Sequence, residues 1–132
     1  MKKLLLFIAL TIFGLGLNAQ NVGDETTIDY DGYSLAFRVT SVEPAECELS
    51  YYSRAPIDVT IPSTVEIEGI EYNVTSIGDS TFYWCSSLTS IEIPNSITFI
   101  GDYAFESCSS LRNVTFEENS QLITILDKAF YD

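Results

Sequence analysis

The chain has 132 residues, enough for one modest hydrophobic core, and carries nineteen acidic residues against six basic ones, a net charge of −13 and no histidine. A surface of that sign repels a phosphate backbone, so nucleic acid is not an expected partner. The missing histidine removes Ser-His-Asp and Cys-His nucleophiles, histidine acid–base chemistry and His-containing zinc sites.

In chain order, Lys2 and Lys3 open a short positive segment, and Leu4 to Leu17 is apolar apart from Thr11, Gly14 and Gly16. That run is shorter than the roughly 20 residues a spanning helix needs. With Ala19 suited to the residue before a cleavage site, residues 1–19 read as a signal peptide, and no membrane span is expected after its removal. No cysteine closes the run, which argues against a lipid anchor. The remainder keeps only Arg38, Arg54, Arg112 and Lys128 as cations, a balance that biases it toward cationic partners or metal ions.

Residues 20–56 read as an N-terminal β cap. Ile28 and Tyr30 alternate toward Tyr33, Leu35, Phe37 and Val39 across an Asp31-Gly32 turn, a hairpin pattern, and Cys47, Leu49 and Tyr51 continue the same alternation. Asp29-Tyr30-Asp31-Gly32 lacks the spaced acidic ligands of a calcium loop and reads as a turn. A second hairpin is expected over Val65–Val74 about Glu68-Gly69. It puts Val65, Ile67, Ile70, Tyr72 and Val74 on one face, which covers the open end of the repetitive C-terminal segment.

Residues 57–132 are repetitive. Ile77-Gly78-Asp79-Ser80-Thr81-Phe82-Tyr83-Trp84-Cys85-Ser86-Ser87-Leu88 falls over Ile100 to Leu111 at an offset of 23 residues, with eight of twelve positions identical. A further copy starts at Ile125 after a two-residue insertion, and Val59-Thr60-Ile61-Pro62 is an earlier copy of Ile91-Glu92-Ile93-Pro94. Such a period predicts a mainly β solenoid of about two full 23-residue coils plus partial ones. Leu88, Ile91 and Ile93 then point inward on a short strand, over Leu111, Val114 and Phe116 of the next coil. Phe82, Phe105 and Phe130 are expected to stack as a ladder on the opposite wall. Gly78 and Gly101 mark a turn where a side chain would collide or φ must be positive.

The pattern Ile-Gly-Asp-x-x-Phe-x-x-Cys-x-x-Leu-x-x-Ile-x-Ile-Pro resembles the BspA-like leucine-rich repeat family of bacterial surface and secreted proteins. The resemblance covers residues 57–132. It implies a curved leucine-rich-repeat solenoid, extracellular display, adhesion or protein binding, and no enzymatic activity. The chain differs at Glu117, where the preceding coil has Pro94, and at Leu126, where it has Gly101. Ending at Asp132, it reads as an array truncated at the C-terminus, whose open last coil invites self-association.

The expected functional surface is the outward side of the strand ladder. Asp58, Ser90 and Asn113 fall in one row, and Thr60, Glu92 and Thr115 in a second, a polar and acidic face suited to a protein or peptide. The alternative is an acidic ion or glycan binder working through the cap. No cofactor and no metal site are implied, since Cys47, Cys85 and Cys108 form no Cys-x-x-Cys pair. Cys85 and Cys108 share a repeat position and should lie in adjacent coils, where buried thiols are expected and a disulfide is geometrically conceivable.

Overall fold

The computed structural model describes residues 21–54 and 56–132, so the expected signal peptide lies outside the described residues. Ten strands and no helix are found there: β1 (Glu25–Tyr30), β2 (Tyr33–Val42), β3 (Ala45–Ser53), β4 (Asp58–Thr60), β5 (Thr64–Ile67), β6 (Ile70–Ile77), β7 (Ser90–Ile93), β8 (Phe99–Ile100), β9 (Asn113–Phe116) and β10 (Thr124–Ile125). They form two sheets. One runs β1-β2-β3-β6-β8-β10 with β5 paired to β6, and the other runs β4-β7-β9.

The mainly β solenoid follows from the repeat. Ser90 pairs with Asn113 and Ser76 with Phe99, both at the 23-residue offset, and Phe99 pairs with Thr124 after the two-residue insertion. All these strands are parallel, so each coil lays like residues on like. Ile77, Leu88, Ile91, Ile93, Ile97 and Ile100 are buried in the shared interior.

The third wall of each coil has no strand, yet it is hydrogen-bonded from coil to coil. The N–H groups of Ser80, Phe82 and Trp84 donate to the carbonyls of Asp102, Ala104 and Glu106, at 2.7–2.9 Å. Tyr103, Phe105 and Ser107 repeat the pattern onto Asp127, Ala129 and Tyr131. This wall uses left-handed backbone at fixed places: Ser80, Tyr103 and Lys128 have φ of 57°, 58° and 55°, and Trp84 and Ser107 have 60° and 59°. Each such non-glycine residue costs on the order of 1–2 kcal/mol, which the inter-coil bonds and the aromatic stack offset.

That stack runs the length of the wall. Phe82 and Phe105 are stacked with centroids 5.2 Å apart, and Phe105 and Phe130 with centroids 4.8 Å apart. It continues into the cap, where Tyr52 lies 5.4 Å from Phe82. Simple alternation puts Tyr51 inward instead. A β-bulge changes the phase: Phe37 pairs with Leu49 but Ala36 with Tyr51, leaving Ser50 as the extra residue, its hydroxyl donating to the Ala36 carbonyl at 3.1 Å. Tyr51 therefore faces solvent and Tyr52 faces the core.

The Asp31-Gly32 hairpin forms as expected, with Tyr30 opposite Tyr33 and Leu35, Phe37 and Val39 buried. The Glu68-Gly69 hairpin also forms, both turn residues having positive φ. Two details differ from expectation. Ile70 sits at the turn and is exposed, while Val65, Ile67, Tyr72 and Val74 are buried. The hairpin also does not cover the first coil. Asn73 pairs with Glu46 on one side and Thr64 on the other, so β3 takes the free edge of β6, and β5 lies on the same edge as β8. The cap and the solenoid thus share one sheet. Thr81, buried where later coils have Ala104 and Ala129, places its hydroxyl 2.7 Å from the Gly78 carbonyl and 3.0 Å from that of Leu49, joining the first coil to β3.

Neither Gly78 nor Gly101 has positive φ, so collision is the reason for both. A Cβ on Gly101 would lie 2.6 Å from the Asp79 nitrogen and 2.8 Å from the Gly78 carbonyl carbon. On Gly78 the nearest backbone atom would be the Leu49 oxygen at 3.2 Å. Gly101→Ala should therefore lower stability by about 3 kcal/mol in urea unfolding and Gly78→Ala by about 1 kcal/mol or less. In the same assay Tyr52→Ala should cost about 2–3 kcal/mol and Tyr51→Ala stay within about 0.5 kcal/mol of the parent; the reverse ranking would contradict the bulge.

Candidate functional site

The β4-β7-β9 sheet is built from inside out. Val59 and Ile91 point inward and are buried, with Val114 packed against the same core, so the residues between them must face outward. The parallel register then aligns Asp58 with Ser90 and Asn113, and Thr60 with Glu92 and Thr115. All six residues named from the sequence are brought onto one face. Five are exposed and Ser90 is half-buried.

The carboxylates on this face are held by neighbouring coils. Asp58 Oδ1 accepts from the Ser90 hydroxyl at 2.6 Å and from the Thr89 hydroxyl at 2.8 Å. These bonds favour the charged form and hold the Asp58 carboxyl below its ordinary range. In the second row Thr60 donates to Glu92 Oε2 at 3.4 Å, a longer contact. Glu117, at the end of the ladder, accepts the Asn95 N–H at 3.0 Å. The face therefore presents fixed negative charge on a rigid sheet, an arrangement suited to recognising a cationic polypeptide surface rather than to proton transfer. Sequence alignment of the coils did not single out Thr89, because it precedes the strand and acts only across coils.

Cys47, Cys85 and Cys108 are buried free thiols. Cys108 Sγ lies 3.0 Å from the Phe82 carbonyl, to which the thiol donates. Burial pushes the Cys47 thiol up to about 12 and the Cys108 thiol up to about 11. Among the described residues no three His, Cys, Asp or Glu side chains are grouped to hold a metal ion, and no helix is long and apolar enough to cross a membrane.

Comparison with known proteins agrees with this architecture. Residues 58–132 match the BspA type leucine rich repeat region in six copies, and the chain belongs to that family. Among solved structures, it is similar to a leucine-rich repeat protein from Bacteroides capillosus, with 32% identity and a TM-score of 0.65 over 79% of this chain and 73% of the other. A leucine rich cell surface protein from Faecalibacterium prausnitzii is 30% identical with a TM-score of 0.65, over 80% of this chain and 27% of the other. A leucine rich repeat protein of T. pallidum is 27% identical with a TM-score of 0.61, over 72% and 41%. The chain thus spans most of the first relative and less than half of the other two. No curated protein matches it.

The thiols give a pH dependence of definite sign. Their folded-state values lie above the ordinary thiol value of 9.0, so the unfolded chain loses these protons first as pH rises. The resulting stability is fully present below pH 9.0 and is lost as pH climbs toward about 11 for Cys108 and about 12 for Cys47. Thermal unfolding should show Tm falling steadily above pH 9.0, with a smaller fall for Cys47→Ala; a Tm flat to pH 11 would contradict the burial of these groups.

Proposed function

We propose that this protein is an exported, non-catalytic interaction module that holds a protein partner at the bacterial cell surface through the outward face of β4, β7 and β9. The observation that carries the reading is the pair of polar rows, Asp58-Ser90-Asn113 and Thr60-Glu92-Thr115, in register across three strands. Such a rigid, repeated and outward-facing surface is the part of a solenoid that meets a ligand. Family membership supports protein binding as the activity, and the basic start followed by the apolar run of Leu4 to Leu17 supports export. The net charge of −13, with Asp58 and Glu92 on the face, favours a partner segment rich in lysine or arginine.

Selection of phage-displayed random peptides on the immobilised protein tests this. Convergent, basic peptides are expected, and Glu92→Lys with Asn113→Lys should weaken them at least tenfold, or about 1.4 kcal/mol. Peptides that bind this variant as well as the parent would place recognition elsewhere and overturn the reading.

A further inference from the structure

A groove of about 290 Å³ lies where the cap hairpin meets the top of the ladder, lined by Asp31, Gly32, Tyr33, Pro56, Ile57 and Asp58. That volume is at the lower end of the roughly 300–1,000 Å³ of small-ligand sites and is ample for one long side chain. Its chemistry is mixed in a particular way. Pro56 and Ile57 supply apolar wall, and Ile57 is 62% exposed, so its side chain is open to contact from outside. Tyr33 supplies an aromatic wall, its ring fixed by stacking on Tyr30 with centroids 5.2 Å apart. Asp31 and Asp58 supply two carboxylates from different parts of the chain, and no cation lines the groove among the described residues. Asp58 is also the first member of the outer row of the ladder, so the groove continues the face just described.

We propose that this groove is an anchor pocket for an arginine side chain of the partner segment that lies on the ladder. The proposal rests on the protein-binding reading of that face and names the chemistry of one of its contacts. The methylenes of arginine lie against Pro56 and Ile57, and its planar guanidinium stacks on Tyr33 and donates to the two carboxylates. Asp58 meets it through a carboxylate already positioned by Thr89 and Ser90. Neither half of the pocket suffices alone: the cap gives Asp31 and Tyr33, and the first coil gives Ile57 and Asp58. Asp31 and Tyr33 belong to the β1–β2 hairpin of the larger sheet and Asp58 opens β4 of the smaller one, so the groove lies between the two sheets.

The test is an NMR titration of the protein with N-acetyl-arginine amide and, separately, with its neutral isostere N-acetyl-citrulline amide. The arginine probe should shift the amides of Gly32, Tyr33, Ile57 and Asp58 and bind at least tenfold more tightly than the citrulline probe. Asp31→Asn, which leaves the Thr89 and Ser90 bonds to Asp58 in place, should weaken the arginine probe several-fold, and adding Asp58→Asn should abolish the shifts while amides around Phe82 and Phe105 stay unmoved. Equal binding of the two probes, or shifts centred outside the groove, overturns the proposal. Because the probe needs no partner peptide, that failure is separable from failure of the ladder reading, which the Glu92 and Asn113 variant tests independently.

Discussion

A single coil of this protein is too thin to bury anything by itself. Its inward side chains leave water only because another coil, or the cap, lies directly above or below. That requirement for like on like governs the rest. It places Phe82 under Tyr52 and over Phe105, and Ile91 between Val59 and Val114. The stacked rings each contribute about 0.5–1.5 kcal/mol beyond their buried area. Their larger effect is on register, because a coil that slipped by one residue would turn its core outward.

The outward face inherits its order from that interior. Asp58, Ser90 and Asn113 do not attract one another into a row; they are left in one by the burial of their neighbours. Hydrogen bonds then refine it, as Thr89 and Ser90 fix the Asp58 carboxylate. The side chains of a face made this way are ordered before any contact forms, which lowers the cost of ordering them in a complex. Close coil contact also has a local cost in sequence freedom. Gly101 is needed because the Asp79 backbone lies where its Cβ would be, and the Asp79 carboxylate accepts the Asp102 N–H at 2.8 Å in the same corner.

What the sequence made legible was whatever depends on the repeat. The repeat, at spacings of 32, 23 and 25 residues from coil to coil, specified the parallel registers between coils, the Phe82-Phe105-Phe130 stack and the two outward rows, since these need only that equivalent residues stack. The two hairpins were legible from Asp31-Gly32 and Glu68-Gly69, whose residues suit the turn backbone. Less legible was whatever depends on how unlike segments meet. The bulge at Ser50 that exchanges Tyr51 for Tyr52 arises from pairing with Ala36 and Phe37, and nothing in the local alternation announces it. The covering of the first coil by β3 is likewise decided between unlike segments, since β3 takes the edge of β6 opposite the one that β5 shares with β8. The groove between Tyr33 and Ile57 joins residues about two dozen positions apart that no motif connects.

The central claim is that one face, built in register by the buried side of the same strands, is where a partner sits. Hydrogen–deuterium exchange of the protein with and without a peptide selected to bind it tests that most directly. Added protection is predicted in residues 57–60, 89–93 and 112–116, with the turn wall of Ser80 to Trp84 and Tyr103 to Ser107 unchanged. Protection concentrated on that wall, or along β1, with the three ladder strands unaffected, would contradict it.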